Sequence, residues 1–500
     1  MRCSLGIDLS TEAVTAILVA ETGEILCRRT TGFPSDSPDS TWVEQNPRDW
    51  WSALVEAVQI VLAHPGARAN LKSVGVCGQM HTLVSLDDKF EIIRPAIAWS
   101  DTRAEELTRE FETTQTELFR RHGHSFHSSF TLAKLLWLRK HEPQSFYQIK
   151  HILLPKDFIN WKLTGEHCTD PSDASGTLLY DTETRSWSES SISLAEIKHE
   201  SIPPVVPSSD VIGKVSREAA RATGIPEGTP VIAGCGDLAA RVVGLGALAS
   251  NQLALSIDDS TAAILPTQSY HKDEAGRLGT FCHAVQDQWY VLGTMLASGN
   301  CLRWYANTIA PGLDYRALVQ EAENSLPGSK GIFFLPHLLG ERSPHNEPYA
   351  RGAFIGLTAA HTRADLSRAL LEGIAFGIAD TCRLVGTCGE IEISDIRACG
   401  QGASSSLWLQ ILADILDVPI MTTTSTEPTA CGAALLAAVS AGIWSSLEEG
   451  AALVARRKVL VEPTPLKAFY QDAFAIYREI FPSLYDIFTA IGEKHYNFTR

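Results

Sequence analysis

V-I-A-G-C-G-D-L-A-A-R-V-V-G-L-G, residues 231–246, is the stretch from which the rest of the chain is read. It opens as an apolar strand, bends at Gly234 and Gly236, and places Asp237 where a helix of small residues begins. Glycine lets the backbone turn sharply and lets a ligand come close, while helix N-terminal N–H groups keep a neighbouring carboxylate ionised near neutral pH. Two readings fit these residues: Asp237 caps the helix, a common use of Asp, or it is a general base. The rest of the chain decides between them.

At 500 residues the chain exceeds a single core, and two domains of about 250 residues each are expected. A net charge of −16 argues against broad attraction to nucleic acid or to an anionic membrane, so any phosphate must be met by local donors or a metal. The 11 cysteines stand singly without a C-x-x-C pair, as expected of reduced cytosolic thiols rather than a disulfide frame or a zinc site. Asp8 and Glu12 fall where a secretory core would be apolar, and no apolar run reaches about 18 residues. The expected location is therefore the cytoplasm.

Upstream of the opening stretch, residues 4–19 read as two strands joined by Ser10-Thr11-Glu12, and the turn at 21–24 leads to a third. Asp8 lies at the edge of that bend, whose hydroxyls and N–H groups suit phosphate oxygens and whose carboxylate suits a divalent metal, an ordinary hairpin being the alternative. Downstream, residues 253–265 repeat strand, acidic bend and strand, with Asp258-Asp259-Ser260 in the bend. The echo indicates an internal duplication whose halves face each other across a cleft.

Further motifs fall into this frame. G-Q-M-H (78–81) follows a strand, and Gln79 and His81 beside the flexible Met80 suit a small polyol, with a structural role as the competing reading. Asp101 is expected to cap a long helix reaching about residue 121, and 169–177 is expected to be a polar loop. Asn46 before Pro47 marks another helix start. Residues 396–414 read as strand, Gly-rich turn through Gly400 and Gly402, and a helix capped by the serines at 404–406, whose N-terminus could face a nucleotide. Neither G-x-G-x-x-G nor G-x-x-x-x-G-K-[ST] is present there. The bend and helix start at 425–434 would form an opposite wall.

Taken together, these motifs make the chain resemble the FGGY family of carbohydrate kinases, and within it the xylulokinase branch, essentially end to end. S-x-T-x-x-K-L-x-W-L-x-K-H (129–141) and G-Q-G-A-S-S-S-L-W-L-Q-I-L-A-D (400–414) carry the resemblance, with G-Q-M-H, W-S-D-x-R (99–103), L-L-P-K-D-F (153–158), D-x-S-D-A-S-G-T (170–177), G-E-R-S-P-H (340–345) and G-x-G-D (234–237) between them. The resemblance implies an α/β protein of two actin-like, ribonuclease-H-like ATPase domains, 1–247 mainly binding sugar and 248–500 mainly binding ATP. It implies Asp237 as base, Asp8 and Asp237 near Mg²⁺, and Gln79, Met80, His81, Asp237 and Leu238 at the sugar. The nucleotide would meet Ser10, Thr11, Asp258, Asp259, Ser260, Gly400, Gln401, Gly402, Ala403 and Ser404. The partners implied are a small sugar and ATP, with neither nucleic acid nor membrane, and a homodimer is left open as the assembly.

The chain departs from that pattern at three places. The first bend reads Ser10-Thr11-Glu12 instead of Gly-Thr-Ser, with Thr15 where a basic residue is usual. In the second, Asp258-Asp259-Ser260 replaces Gly-Thr-Ser, so carboxylates stand where phosphates are expected. Leu238 replaces an Asn that would bind a hydroxyl. The leading expectation is phosphorylation of D-xylulose to D-xylulose 5-phosphate. The alternatives are another ketose or polyol, ribulose-like, and a weakened kinase-fold sugar sensor.

Overall fold

The computed structural model describes residues 1–114 and 124–496. Its frame is two seven-stranded sheets of matching layout. In the first, an antiparallel meander, β1 (Cys3–Leu9), β2 (Ala13–Ala20) and β3 (Ile25–Gly32), continues through β4 (Leu71–Gly78), parallel to β1. Two further strands close that side, β5 (Val211–Lys214) at the edge and β6 (Pro230–Ile232) against β4, and the short β7 (Cys235–Gly236) also pairs with β4.

The second sheet repeats the meander with β8 (Gln252–Ile257), β9 (Thr261–Thr267), the edge hairpin strand β10 (Gly279–Cys282) and β11 (Trp289–Met295). On its other side β12 (Asp395–Cys399) runs parallel to β8, followed by parallel β13 (Ile420–Thr423) and antiparallel β14 (Arg457–Val461). The repeat read from the two acidic bends therefore extends to whole sheets.

Four helices fix the site. Helix α1 (Pro47–Val61) begins at Asn46, whose side chain accepts from the Arg48 N–H, and it packs on β2 and β3. Helix α2 (Asp237–Leu245) starts at Gly236 and ends on left-handed Gly246. The buried α3 (Arg363–Cys388) backs the second sheet, and α4 (Pro428–Ser440) is the helix whose start is expected within 425–434.

Although α4 comes from the second half of the chain, it lies on the first sheet. Side chains alternate across a strand, so Ser4, Gly6 and Asp8 share one face of β1, and Ser73, Gly75 and Cys77 share one face of β4. Ser4 Oγ donates to Ala434 O at 3.0 Å, and Ser73 Oγ to Ala437 O at 2.7 Å. A Cβ on Gly6 would stand 2.1 Å from Ala430 O, and one on Gly75 would stand 2.2 Å from Ala433 O. One step further along each strand the helix ends. Cys77 Sγ reaches Thr429 O at 3.5 Å, and Asp8, the only residue of β1 not fully buried, emerges where α4 begins.

Helix α2 makes the reciprocal packing, touching β8, β9 and β12 of the second sheet, and Arg397 of β12 donates to Leu245 O and Gly246 O at its end. The two helices cross backbone to backbone: a Cβ at Gly244 would lie 1.7 Å from Pro428 O, and one at Gly432 would lie 1.9 Å from Ala240 O.

Two local expectations are corrected. Asp101 does not cap a helix; it pairs with Arg103 and accepts the Val43 N–H at 2.6 Å, and the helix is Glu105–Thr114. The expected helix end near residues 121–123 lies outside the described residues. Residues 169–177 are not simply a loop, since Asp170 caps the short helix Pro171–Ser175.

Because no atom can be added at the crossing without moving backbone, Gly432→Ala should destabilise the protein by about 2–4 kcal/mol in urea unfolding. Gly312→Ala, with nothing within 4 Å, should cost only the left-handed backbone penalty of about 1–2 kcal/mol. Equal losses would contradict the crossing as described.

Candidate active site

The bend before Asp237 is pinned from both sides. Gly234 is left-handed at φ +71, and a Cβ there would fall 1.8 Å from Val76 O. Asn160 Nδ2 donates to Ala233 O at 2.8 Å, and the Gly236 N–H donates to Ser172 Oγ at 2.9 Å. Ser172 Oγ in turn donates to Asp170 at 2.6 Å, which belongs to a fully buried cluster around Lys156. Lys156 Nζ lies 2.5 Å from Asp157, 3.0 Å from Asp170 and 3.2 Å from Asp173. Burial pushes the Asp157 and Asp173 carboxyls up, against the pull of the Lys156 ammonium. The motifs at 153–158 and 170–177 thus hold the backbone that delivers Asp237.

Asp237 is the first residue of α2, after the Gly236 cap, and is partly buried. Its Oδ1 accepts the Leu238 N–H at 2.9 Å. Burial raises its pKa, opposed by Arg241 and by N–H groups of Leu238, Asp237 and Met80. Asp8 shares the same enclosure: burial first, and then the charge of Asp237, carries its pKa to about 7, against the pull of Arg241.

On one side of Asp237 stand Met80 and His81. Glycine makes room for both, since a Cβ on Gly236 would sit 2.8 Å from Met80 Cγ and one on Gly176 would sit 2.8 Å from His81 Nδ1. His81 has φ +69, a conformation the 129–141 motif enforces: Thr131 Oγ1 and Lys134 Nζ both donate to His81 O, at 3.0 and 2.9 Å. Nδ1 lies 2.5 Å from Gly176 O, so this nitrogen carries the hydrogen and Nε2 is left as an acceptor. Burial lowers the His81 pKa to about 3, so the ring is neutral. Leu238 is partly buried and packs against the core.

Gln79 does something different from its expected neighbours. It is 1% exposed and donates to Gln45 at 2.8 Å, and Gln45 donates to Thr11 O and Ser35 Oγ, both at 2.7 Å. Its amide N–H therefore braces the first bend. There Ser10 Oγ bonds Ala13 O at 2.9 Å, and Thr11 Oγ1 accepts from Trp99 Nε1 at 2.9 Å. Thr15 is turned to Thr30 at 2.9 Å.

On the other side is the second bend. Asp258, Asp259, Gln401 and Gly402 line a cavity of about 260 Å³, closed by Leu302, Leu313, Tyr315 and Trp408. Asp258 accepts from Ser256 Oγ at 2.9 Å and from the Gln401 N–H at 3.0 Å, and Asp259 is ion-paired with Arg303. Both carboxylates, expected to repel, thus have partners within the protein. Ser260 O accepts the Asp258 N–H, closing the bend. Gly400 is left-handed at φ +90, with its Cβ position 2.5 Å from Ile257 O, and residues Gly402–Ser404 form a single 3-10 turn that includes Ala403. Of the three serines, Ser405 caps the following helix, while Ser404 bonds back to Gln401 O. A larger cavity, about 470 Å³, lies beside the C-terminal end of α3 among Cys382, Glu390, Ile393 and Val418, apart from these acids.

Arg241, Glu427 and Thr429 join this site without having been singled out in the sequence. The available signal was spacing: Arg241 is four residues after Asp237, on the same helix face. Among the described residues no preassembled group of three metal-ligating side chains occurs, and no helix is long and apolar enough to cross a membrane.

Comparison with known proteins matches residues 3–244 to the N-terminal domain of the FGGY family of carbohydrate kinases and residues 253–441 to its C-terminal domain. The chain is 36% identical to the xylulose kinase of Escherichia coli over 448 residues, covering 89% of this chain and 91% of that one. It is 33% identical to the xylulose kinase of Bacillus subtilis, covering 98% and 99%. The crystal structure of ligand-bound xylulose kinase from Lactobacillus acidophilus superposes with a TM-score of 0.93 at 25% identity, over 98% of this chain and all of that one.

The acids of the site give a signed pH effect. With its folded pKa near 7 against an ordinary 3.8, Asp8 holds a proton in the folded, ligand-free protein that the unfolded chain has released. Stability therefore falls as pH rises between those values, by at most about 1.4 kcal/mol per pH unit. Asp8→Asn should show a stability advantage over the wild type that grows from pH 4 to 7 and then levels off, in thermal unfolding with chelator present. A difference independent of pH would contradict this.

Proposed function

The chain belongs to the FGGY family of carbohydrate kinases, and from that premise we propose that it phosphorylates a small ketose, D-xylulose to D-xylulose 5-phosphate, with Asp237 as the base. As a member it is a phosphotransferase that uses ATP and an alcohol acceptor. The observation that carries the proposal is the place of Asp237 at the start of α2, with Met80 beside it and the second bend beyond Arg241. Phosphoryl transfer requires a base at the attacking hydroxyl, charge neutralisation at the phosphate and in-line positioning.

In this reading Met80 and the acceptor nitrogen of His81 meet the sugar, whose hydroxyls can donate to a neutral imidazole. The adenine side of ATP takes the cavity of Leu302, Tyr315 and Trp408, with its phosphates running past the 258–260 bend toward the first bend. Residues 1–247 then serve mainly the sugar and 248–500 mainly the nucleotide, α4 being the part of the second half that braces the first. Asp8 and Asp237 fit Mg²⁺, which is held by one or two carboxylates with water and phosphate oxygens rather than by a protein cage. When bound it supplies charge neutralisation at the phosphates. A cytoplasmic setting is supported by 11 unpaired cysteines, most of them buried.

Leu238, next to the base, offers no hydrogen bond to a sugar hydroxyl. Ribulose-like ketoses and polyols belong in the same test for that reason. The sensor alternative loses its motive, since the two carboxylates behind it have partners in Arg303, Ser256 and the Gln401 N–H.

A panel of ketoses and polyols with Mg·ATP, scored by ADP release, tests the proposal, and D-xylulose should give the highest kcat/KM. Asp237→Asn should lower kcat by about 10³-fold while leaving folding and nucleotide affinity near wild type. Retained turnover would remove Asp237 from its role. Leu238→Asn should shift the ratio of kcat/KM values between two sugars by about tenfold, and an unchanged ratio would take residue 238 out of sugar selection.

A further inference from the structure

Arg241 is a guanidinium beside the base without a full set of protein partners. It sits one turn after Asp237 on α2, partly exposed, and charge reaches it from Asp237, Asp8 and Asp258. Its only hydrogen bond among the described residues runs from Nε to Thr429 Oγ1, at a long 3.4 Å, and it forms no ion pair there. Both Nη groups are left open between the two acidic bends. Arginine normally spends its fork on a carboxylate or phosphate, so an unspent fork at this place points to an anionic ligand.

The cations beside the two bends cannot supply that charge, and Arg342 lies on the side of His81. Arg303 is committed to Asp259, and Arg28 is committed to Glu427. The first bend offers none, because Thr15 stands at the basic position and faces Thr30. Without Arg241 the carboxylates of Asp8, Asp237 and Asp258 would lose the cation that lies among them. Like charges there would oppose a nucleotide.

We propose that Arg241 is a catalytic residue whose Nη groups bind the oxygens of the phosphoryl group in transit, a cation carried on the same helix as the base. The inference rests on the kinase reading above. In the step, a sugar hydroxyl oxygen bonds to the terminal phosphorus of ATP as the bond from that phosphorus to the bridging oxygen breaks. ADP departs with the electron pair, and the hydroxyl proton passes to the Asp237 carboxylate. Arg241 is unchanged, and it takes up the negative charge spread over the equatorial oxygens. The same guanidinium offsets Asp258, so a bend bearing carboxylates remains compatible with phosphate.

The test compares wild type, Arg241→Ala and Arg241→Lys by calorimetric titration with Mg·ADP and with the non-hydrolysable imido analogue of Mg·ATP, alongside kcat with and without added guanidinium chloride. If Arg241 meets the terminal phosphate, the Ala variant loses about tenfold or more in affinity for the triphosphate analogue, with ADP nearly unchanged. Its kcat falls by about 10²–10³-fold, and guanidinium restores part of it. Equal weakening of both nucleotides, or of neither, would overturn the proposal and leave Arg241 as a charge balance for the three acids. Should the Ala variant not fold, the Lys variant carries the same comparison, since it keeps the charge and loses the fork. The titrations need no sugar and so separate the two readings. Selective loss of the analogue in a protein that phosphorylates no sugar would uphold the phosphate contact and defeat the kinase reading. Sugar turnover with unmoved nucleotide selectivity would do the reverse.

Discussion

The two halves of this molecule are joined by a crossing at which helix backbones touch. At the crossing of α2 and α4, Gly244 approaches Pro428 O and Gly432 approaches Ala240 O more closely than any Cβ would allow. Two sheets of similar layout are joined by this exchange, each wearing the helix of the other half. The crossing also sets where helices begin. Asp237 opens α2, Thr429 stands in the first turn of α4, and the strand faces beneath α4 run out at Asp8 and Cys77. The site is what remains at the end of the helix once the close packing stops.

Charge is distributed by distance from that opening. Deep behind it, Lys156 gathers three carboxyls with no exposure at all, and its hydrogen-bond chain ends on the Gly236 N–H. Lys134 is spent on the carbonyls of His81 and Ser129, where it serves as a clamp, and burial lowers its pKa to about 7. Such groups hold backbone, and removing one partner of a buried ion cluster costs several kcal/mol. At the opening itself the carboxylates of Asp8 and Asp237 are only partly satisfied, which is where reactive groups are to be expected.

Much of this was legible along the chain. Apolar runs broken by polar bends marked the strands within 4–19 and 253–265, and the bend at 425–434 marked the start of α4. Gly-Asp before Leu-Ala-Ala marked the start of α2, and both sheets repeat as the acidic bends suggested. What could not be read depends on distant residues. Only the fold shows that the Gln79 amide N–H is taken by Gln45 while its Oε1 is left without a partner among the described residues, and Asp101 looks like a cap until Val43 and Arg103 claim it. Asp259 reads as repulsive because its partner, Arg303, comes from the helix Gly299–Thr308, well beyond the bend. Arg241 was hidden because an arginine four residues into a helix resembles any solvated charge. Only the fold shows that its helix face points at two bends from opposite halves.

The exchange of helices bears on how the chain is made. During synthesis from the N-terminus, the strands of the first sheet are complete once residue 236 has left the ribosome, but the helix that covers Gly6 and Gly75 is encoded at 428–440. For about two fifths of translation the nascent first sheet carries a bare groove shaped for a helix not yet made. Chaperone demand should peak over that interval, and a message cut between the halves should yield a fragment that aggregates rather than a smaller working module.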